Sequence, residues 1–235
     1  MRLAVIPARG GSKRIPRKNV KLFYGKPMIV WSIEAALRSG CFEQVVVSTD
    51  DAEIAEVARR HGASVPFMRP AELSDDYTGT LPVIRHVIEQ LSAQEQTIEQ
   101  VCCLYATAPF VRAEDIQRGL KILEETDSDY VFSVTSYAFP IQRAIRLTEQ
   151  GGVEMCNPEH FNTRSQDLEE TFHDAGQFYW GRADAWLQGK VVFSPRSRPV
   201  LLPRHRVQDI DTLEDWTRAE WLFKAMQAQQ DTDQS

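Results

Sequence analysis

The first 33 residues contain no aspartate or glutamate, although the 235-residue chain holds 33 acids against 27 lysines and arginines. Eight bases fall in that stretch (Arg2, Arg9, Lys13, Arg14, Arg17, Lys18, Lys21 and Lys26), so the remainder is strongly acidic. An acidic body with one basic end implies a local polyanion site and argues against a general nucleic-acid surface. A solvated basic face is the alternative that charge alone leaves open. The basic run also lacks the interleaved aromatics expected of a nucleic-acid binder. Cysteine is scarce: four residues in no metal-ligand spacing imply reduced thiols in the cytoplasm, not a disulfide scaffold. No apolar run nears the roughly 20 residues of a membrane helix, and Pro7 and Arg9 cut short the N-terminal run before it could serve as a leader, so no membrane partner is expected. Walker A, GxGxxG, GxSxG, HExxH and EF-hand patterns are all missing.

What is present is alternation. Short apolar runs at 3–6, 45–48, 64–68, 101–105 and 130–134 read as strands. Helical patterns follow at 28–38, 52–60, 81–91 and 113–124, with Gly40 and Gly62 as stops. Near-continuous apolar strands alternating with helices predict an α/β fold, a mostly parallel sheet covered on both faces, with ligands at the strands' carboxyl ends. The rhythm breaks at 137–171, which reads as a hairpin arm inserted in one domain spanning 1–235. Residues 172–180 and 200–210 return to strand composition, 212–227 is a last helix, and the tail to Ser235 is expected to fray. The Trp180/Trp186 and Trp216/Trp221 pairs and Cys102-Cys103 read as packing.

Two segments carry chemistry. The run from Ile6 to Asn19, IPARGGSKRIPRKN, follows the first strand. Its Gly10 and Gly11 allow close backbone approach, and its cations suit a polyphosphate. Asp209-Ile210-Asp211, read as a strand, would put two carboxylates on one face about 6.6 Å apart. Such a pair suits Mg²⁺ shared with phosphate oxygens. Asp211-Thr-Leu-Glu214 is equally a capping box for the last helix. His173 and His205 are weaker candidates as bases, and the basic cluster Arg204-His-Arg206 reads equally well as a solvated strand end.

Read as a whole string, PARGGSKRIPRKN followed by Gly-Lys-Pro-Met resembles the N-terminal signature of the CMP-sialic acid synthetases, the acylneuraminate cytidylyltransferase family. The likeness continues through Val-Val-Ser-Thr-Asp-Asp at 46–51, Arg-Pro-Ala-Glu-Leu at 69–73 and Asp-Ile-Asp-Thr at 209–212, in the family's order along nearly the whole chain. Tyr-Ala-Thr-Ala-Pro-Phe at 105–110 and His-Asp-Ala-Gly-Gln-Phe-Tyr-Trp at 173–180 look closest to the branch acting on pseudaminic acid. There Tyr105 replaces a family Gln, and Val111 an Arg. The resemblance implies a Rossmann-like nucleotidyltransferase fold whose 137–171 arm makes a homodimer. CTP would be the co-substrate, Mg²⁺ would sit on Asp209 and Asp211, and a nonulosonic sugar acid would be activated. It implies catalytic roles for Arg9, Lys18, Asp209 and Asp211, and nucleotide contacts from Ala8, Arg9, Gly10, Gly11, Ser12, Lys18, Asn19, Arg69, Thr78 and Thr80. Sugar contacts fall to Tyr105, Thr107 and Gln177. Activation of neuraminic or 3-deoxy-octulosonic acid is the near alternative, and a non-catalytic nucleotide-binding regulator the distant one.

Overall fold

A computed structural model of the chain describes residues 1–233. Strand β1 (Arg2–Pro7) opens the sheet, and a two-stranded hairpin of β2 (Leu22–Phe23) and β3 (Lys26–Pro27) follows. Tyr24 and Gly25 both turn with positive φ, the conformation a two-residue hairpin loop requires. Helix α1 (Met28–Ser39) stops at left-handed Gly40, and β4 (Gln44–Ser48) leads into α2 (Ala52–Arg60). Next come α3 (Thr80–Ser92), β5 (Gln100–Leu104), α4 (Ala113–Glu125) and β6 (Tyr130–Ser136). The excursion contains the hairpin β7 (Ile145–Leu147) and β8 (Val153–Met155), before β9 (Phe172–Arg182), α5 (Ala183–Gln188), β10 (Ser197–Leu201) and α6 (Leu213–Asp233). No helix among the described residues is long and apolar enough to cross a membrane.

The main sheet runs β10-β6-β9-β5-β1-β4. Five strands point the same way, and β9 is antiparallel to both β5 and β6. Alternation along β1 sends Ala4 and Ile6 to the face covered by α1, α2 and α4, and Leu3 and Val5 to the face covered by α3 and α5. A third apolar cluster joins Ile15 of the glycine-rich loop, Phe23, Phe110, Ile210 and Trp216 and Phe223 of α6. The last helix therefore ties the N-terminal loop to the carboxylate segment.

Three local expectations are corrected. Residues 64–68 are not a strand: Ser64 makes a single bridge to Val46, and Pro66 has no N–H with which to extend a ladder. Residues 202–210 also leave the sheet, because the chain meets Pro203 and tightens into a 3₁₀ turn at Arg204–Arg206. Asp209 and Asp211 thus lie on a non-strand segment. Trp221, read as packing, is exposed on α6, whereas Trp180, Trp186 and Trp216 are buried.

Candidate active site

The carboxyl ends of β1 and β5 open into a cavity of about 250 Å³. Arg9, Ser12, Lys13, Arg14, Ile15, Lys18 and Asn19 line one side of it, and Thr80, Tyr105, Thr107 and Asp211 the other. Four cations from one loop therefore face a single space. Each is already matched with an acid. Arg9 Nη1 donates to Asp76 Oδ1 at 2.6 Å and to the Asp75 carbonyl at 2.8 Å, and Lys13 pairs with the other Asp76 oxygen. Arg14 Nη2 donates to Asp211 Oδ2 at 2.8 Å, while Lys18 Nζ reaches Asp211 Oδ1 at 3.3 Å and the Ile210 carbonyl at 2.6 Å. The Asp76 carboxyl is held below its usual range by Lys13 and then Arg9.

The loop is braced from behind. Asn19 Nδ2 donates to the Arg9 carbonyl at 3.0 Å, and the Ala8 N–H to the Ser48 carbonyl at 2.9 Å. Gly10 N–H donates to Asp50 Oδ1 at 2.9 Å, so this amide is engaged within the protein. Asp51 caps α2, its Oδ1 taking the Ile54 N–H at 3.0 Å, and it also receives two bonds from Arg17. The Arg17 pair drives the Asp51 carboxyl below its usual range.

Arg69 is buried, its backbone N–H bonded to the Thr49 carbonyl. Among the described residues no acceptor bonds its Nε or Nη2, and Asp50 Oδ1 lies 3.7 Å from Nη2. Two unsatisfied donors on a buried guanidinium are costly unless a ligand uses them. Thr80 lines the cavity, but Thr78 is held away from it, its N–H on Asp75 Oδ1 at 2.6 Å and its hydroxyl on the Glu72 carbonyl.

Asp211 does not cap the last helix. Thr212 Oγ1 accepts the Asp215 N–H at 3.2 Å, and Asp215 Oδ2 takes the Thr212 N–H at 2.8 Å, a reciprocal box one residue later than the sequence suggests. This releases the Asp211 carboxylate to the cavity. Ile210 is fully buried, and the acids flank it. Among the described residues no lysine or arginine lies within ion-pair distance of Asp209, and burial, then the Asp211 charge, raises its carboxyl. No group of three or more potential metal ligands gathers among the described residues. Two carboxylates alone are a set that Mg²⁺ completes with phosphate and water.

Tyr105 also borders a second, mainly apolar recess of about 180 Å³ with Thr80, Leu81, Tyr179, Trp186, Val192 and Phe193. Burial pushes its phenol up. Gln177 lies elsewhere: it is 3% exposed, lines neither space, and donates its amide to the Arg206 carbonyl at 2.6 Å. Arg206, which the sequence left open between a basic cluster beside the carboxylates and a solvated strand end, is buried against Asp115. The sequence marks Lys13 and Arg14 only as two of the loop's cations, through the acid-free first 33 residues. Nothing local marked Asp76.

The family model for cytidylyltransferase matches residues 3–218. Over 94% of this chain and 96% of the relative, it is 48% identical to the pseudaminic acid cytidylyltransferase of Campylobacter jejuni. It is 35% identical to the CMP-N,N'-diacetyllegionaminic acid synthase of Legionella pneumophila, over 96% of this chain and 97% of the other. Among solved structures, a CMP:2-keto-3-deoxy-manno-octonic acid synthetase complexed with CTP superposes with a TM-score of 0.71 at 17% identity, covering 96% of this chain and 99% of that one, which bears on the fold alone. A basic loop after the first strand, a carboxylate facing it and a match along nearly the whole length lead to one conclusion: this chain belongs to the cytidylyltransferase family.

Proposed function

We propose that the protein transfers the cytidylyl group of CTP to the anomeric hydroxyl of a nonulosonic acid, namely pseudaminic acid. The observation that carries this reading is the convergence of Arg9, Lys13, Arg14 and Lys18 with Asp211 on one cavity at the sheet's ligand edge. The hydroxyl oxygen attacks the α-phosphorus in line, the bond to the β-phosphate breaks, pyrophosphate leaves, and the hydroxyl proton passes to solvent or a nearby base. The protein supplies position and charge. Arg9 and Lys13 exchange Asp76 for phosphate oxygens, and Arg14 and Lys18 do the same with Asp211. Asp211, released, and Asp209 would then hold a divalent cation, which supplies charge neutralisation at the α-phosphate and the leaving group. The unsatisfied Arg69 donors suit the carbonyl-bearing edge of cytosine. Tyr105 and Thr107 face the space left for the sugar. The aromatic recess beside Tyr105 suits an N-acyl or deoxy terminus, which favours pseudaminic acid over a more hydroxylated relative.

The remaining features support the setting of this activity. Ile145, Leu147, Val153 and Phe161 of the 137–171 arm are exposed apolar side chains, and a second copy of the chain would cover them as a homodimer. Four unpaired cysteines suit a reducing cytoplasm. The test of function is pyrophosphate release with each nucleoside triphosphate against pseudaminic, legionaminic, neuraminic and 3-deoxy-octulosonic acids, with and without EDTA. CTP with pseudaminic acid should be fastest and EDTA should stop it. Faster turnover of neuraminic acid would overturn the sugar assignment, and undiminished activity in EDTA would overturn the metal.

A further inference from the structure

The carboxylates at 209 and 211 hang on a segment that no strand holds. The turn before them is fixed by groups that the chemistry above does not use. Arg206, 8% exposed, points its guanidinium at the equally buried Asp115 near the start of α4, with Nη1 to Oδ2 at 2.7 Å and Nη2 to Oδ1 at 3.5 Å. Arg118, one turn along α4, reaches the same carboxylate at 3.2 Å and donates to the Leu201 carbonyl at the end of β10. The Arg206 carbonyl takes the buried Gln177 amide at 2.6 Å, and Gln177 in turn accepts the Tyr105 N–H through its own carbonyl at 3.0 Å. Helix α4 and strand β9 thus meet at Arg206, and the β9 backbone carries the link on to the first residue after β5.

A buried ion pair adds little net stability compared with well-packed apolar residues, because desolvation offsets its attraction, so its use here is better sought in geometry. Four residues later Ile210 is fully buried beside Ile15 of the phosphate loop. The segment is therefore clamped twice, by a polar fork at 206 and an apolar plug at 210, with Asp209 between the clamps. We propose that Asp115, Arg206 and Gln177 form a buried strut that positions Asp209 and Asp211 without touching the nucleotide. This rests on the reading that those carboxylates serve the reaction. It also moves Gln177 from sugar contact to positioning.

A crossed set of variants tests it. Arg206→Lys keeps the charge but loses the two-pronged geometry. It should lower kcat at least tenfold, leave KM for CTP within about twofold, and weaken Mn²⁺ binding to the protein–CTP complex, read by electron paramagnetic resonance, by a similar factor. Gln177→Leu should shift the same quantities by less. Introduced into Asp209→Asn, Arg206→Lys should lower Tm by as much as it does alone yet cost less than a further twofold in kcat, because its route to the chemistry is already broken. Unchanged Mn²⁺ binding in Arg206→Lys, or equal fold-losses of kcat with and without Asp209, would overturn the strut alone. Full activity of Asp209→Asn would remove the carboxylate reading and the strut with it.

Discussion

Gly10 and Gly11 are neighbours in one loop, yet a methyl group should separate them sharply. A Cβ built on Gly10 would lie 2.7 Å from Asp51 Oδ2 and 2.9 Å from Asp51 Cβ, whereas one on Gly11 meets nothing within 4 Å. Asp51 cannot step aside freely: it caps α2 through the Ile54 N–H at 3.0 Å and holds Arg17 through two bonds. Losing a helix cap costs about 0.5–2 kcal/mol. Forcing an extra carbon into a packed site costs about 1–3 kcal/mol. Since relief of one is paid through the other, the two do not add fully, and Gly10→Ala should lose about 2–3 kcal/mol by denaturant titration. For a chain of this length that is roughly 4–12 °C in Tm. Gly11→Ala should stay within about 0.5 kcal/mol of the parent. In an Asp51→Gly background the cost of Gly10→Ala should shrink, because its collision partner is gone. A Gly10→Ala variant as stable as Gly11→Ala would refute the collision.

Three further expectations follow from the site. Arg9→Ala should reduce kcat/KM for CTP by an amount equivalent to about 2–4 kcal/mol, the scale of one preorganised donor; near-parental turnover would put the phosphate cradle elsewhere. Because Thr212 and not Asp211 caps α6, Thr212→Ala should cost about 1 kcal/mol in unfolding, while Asp211→Asn should abolish activity with a Tm close to the parent's. Asp51, whose pKa is depressed by Arg17, contributes stability that is present above the ordinary aspartate pKa and is lost as pH falls through the folded value. Asp51→Asn, still able to cap, should therefore be less stable than the parent at pH 7 by roughly 1 kcal/mol, a gap that closes as pH falls below the ordinary aspartate value and through the depressed folded one. A gap independent of pH would point to lost packing instead.

The order of helices and strands was legible because each buried run differs in period from its neighbours. Direction was not. The apolar composition of 172–182 is the same whether β9 runs parallel or antiparallel, and only the pairing with β5 and β6 reveals it. The strand expected at 64–68 failed on Pro66, and that at 200–210 ends at Leu201, short of Pro203, since a missing N–H outweighs apolar composition. The cation-lined loop could be read from charge and glycine, which are local signals. Asp76 reaches Arg9 across 67 positions, and Asp115 reaches Arg206 across 91. Partners so distant in sequence leave no mark in either segment.

The reversed strand also decides what the arm can do. Since β6 finishes and β9 begins at the same rim, with Ser136 opposite Phe172, the intervening loop both leaves and re-enters at the carboxyl ends of the parallel strands. A parallel β9 would have obliged that loop to travel to the opposite rim. The arm can therefore lengthen, shorten or grip another molecule at that rim without rerouting any strand of the sheet. On the proposed reading, variation in the arm would leave the basic loop after β1 untouched.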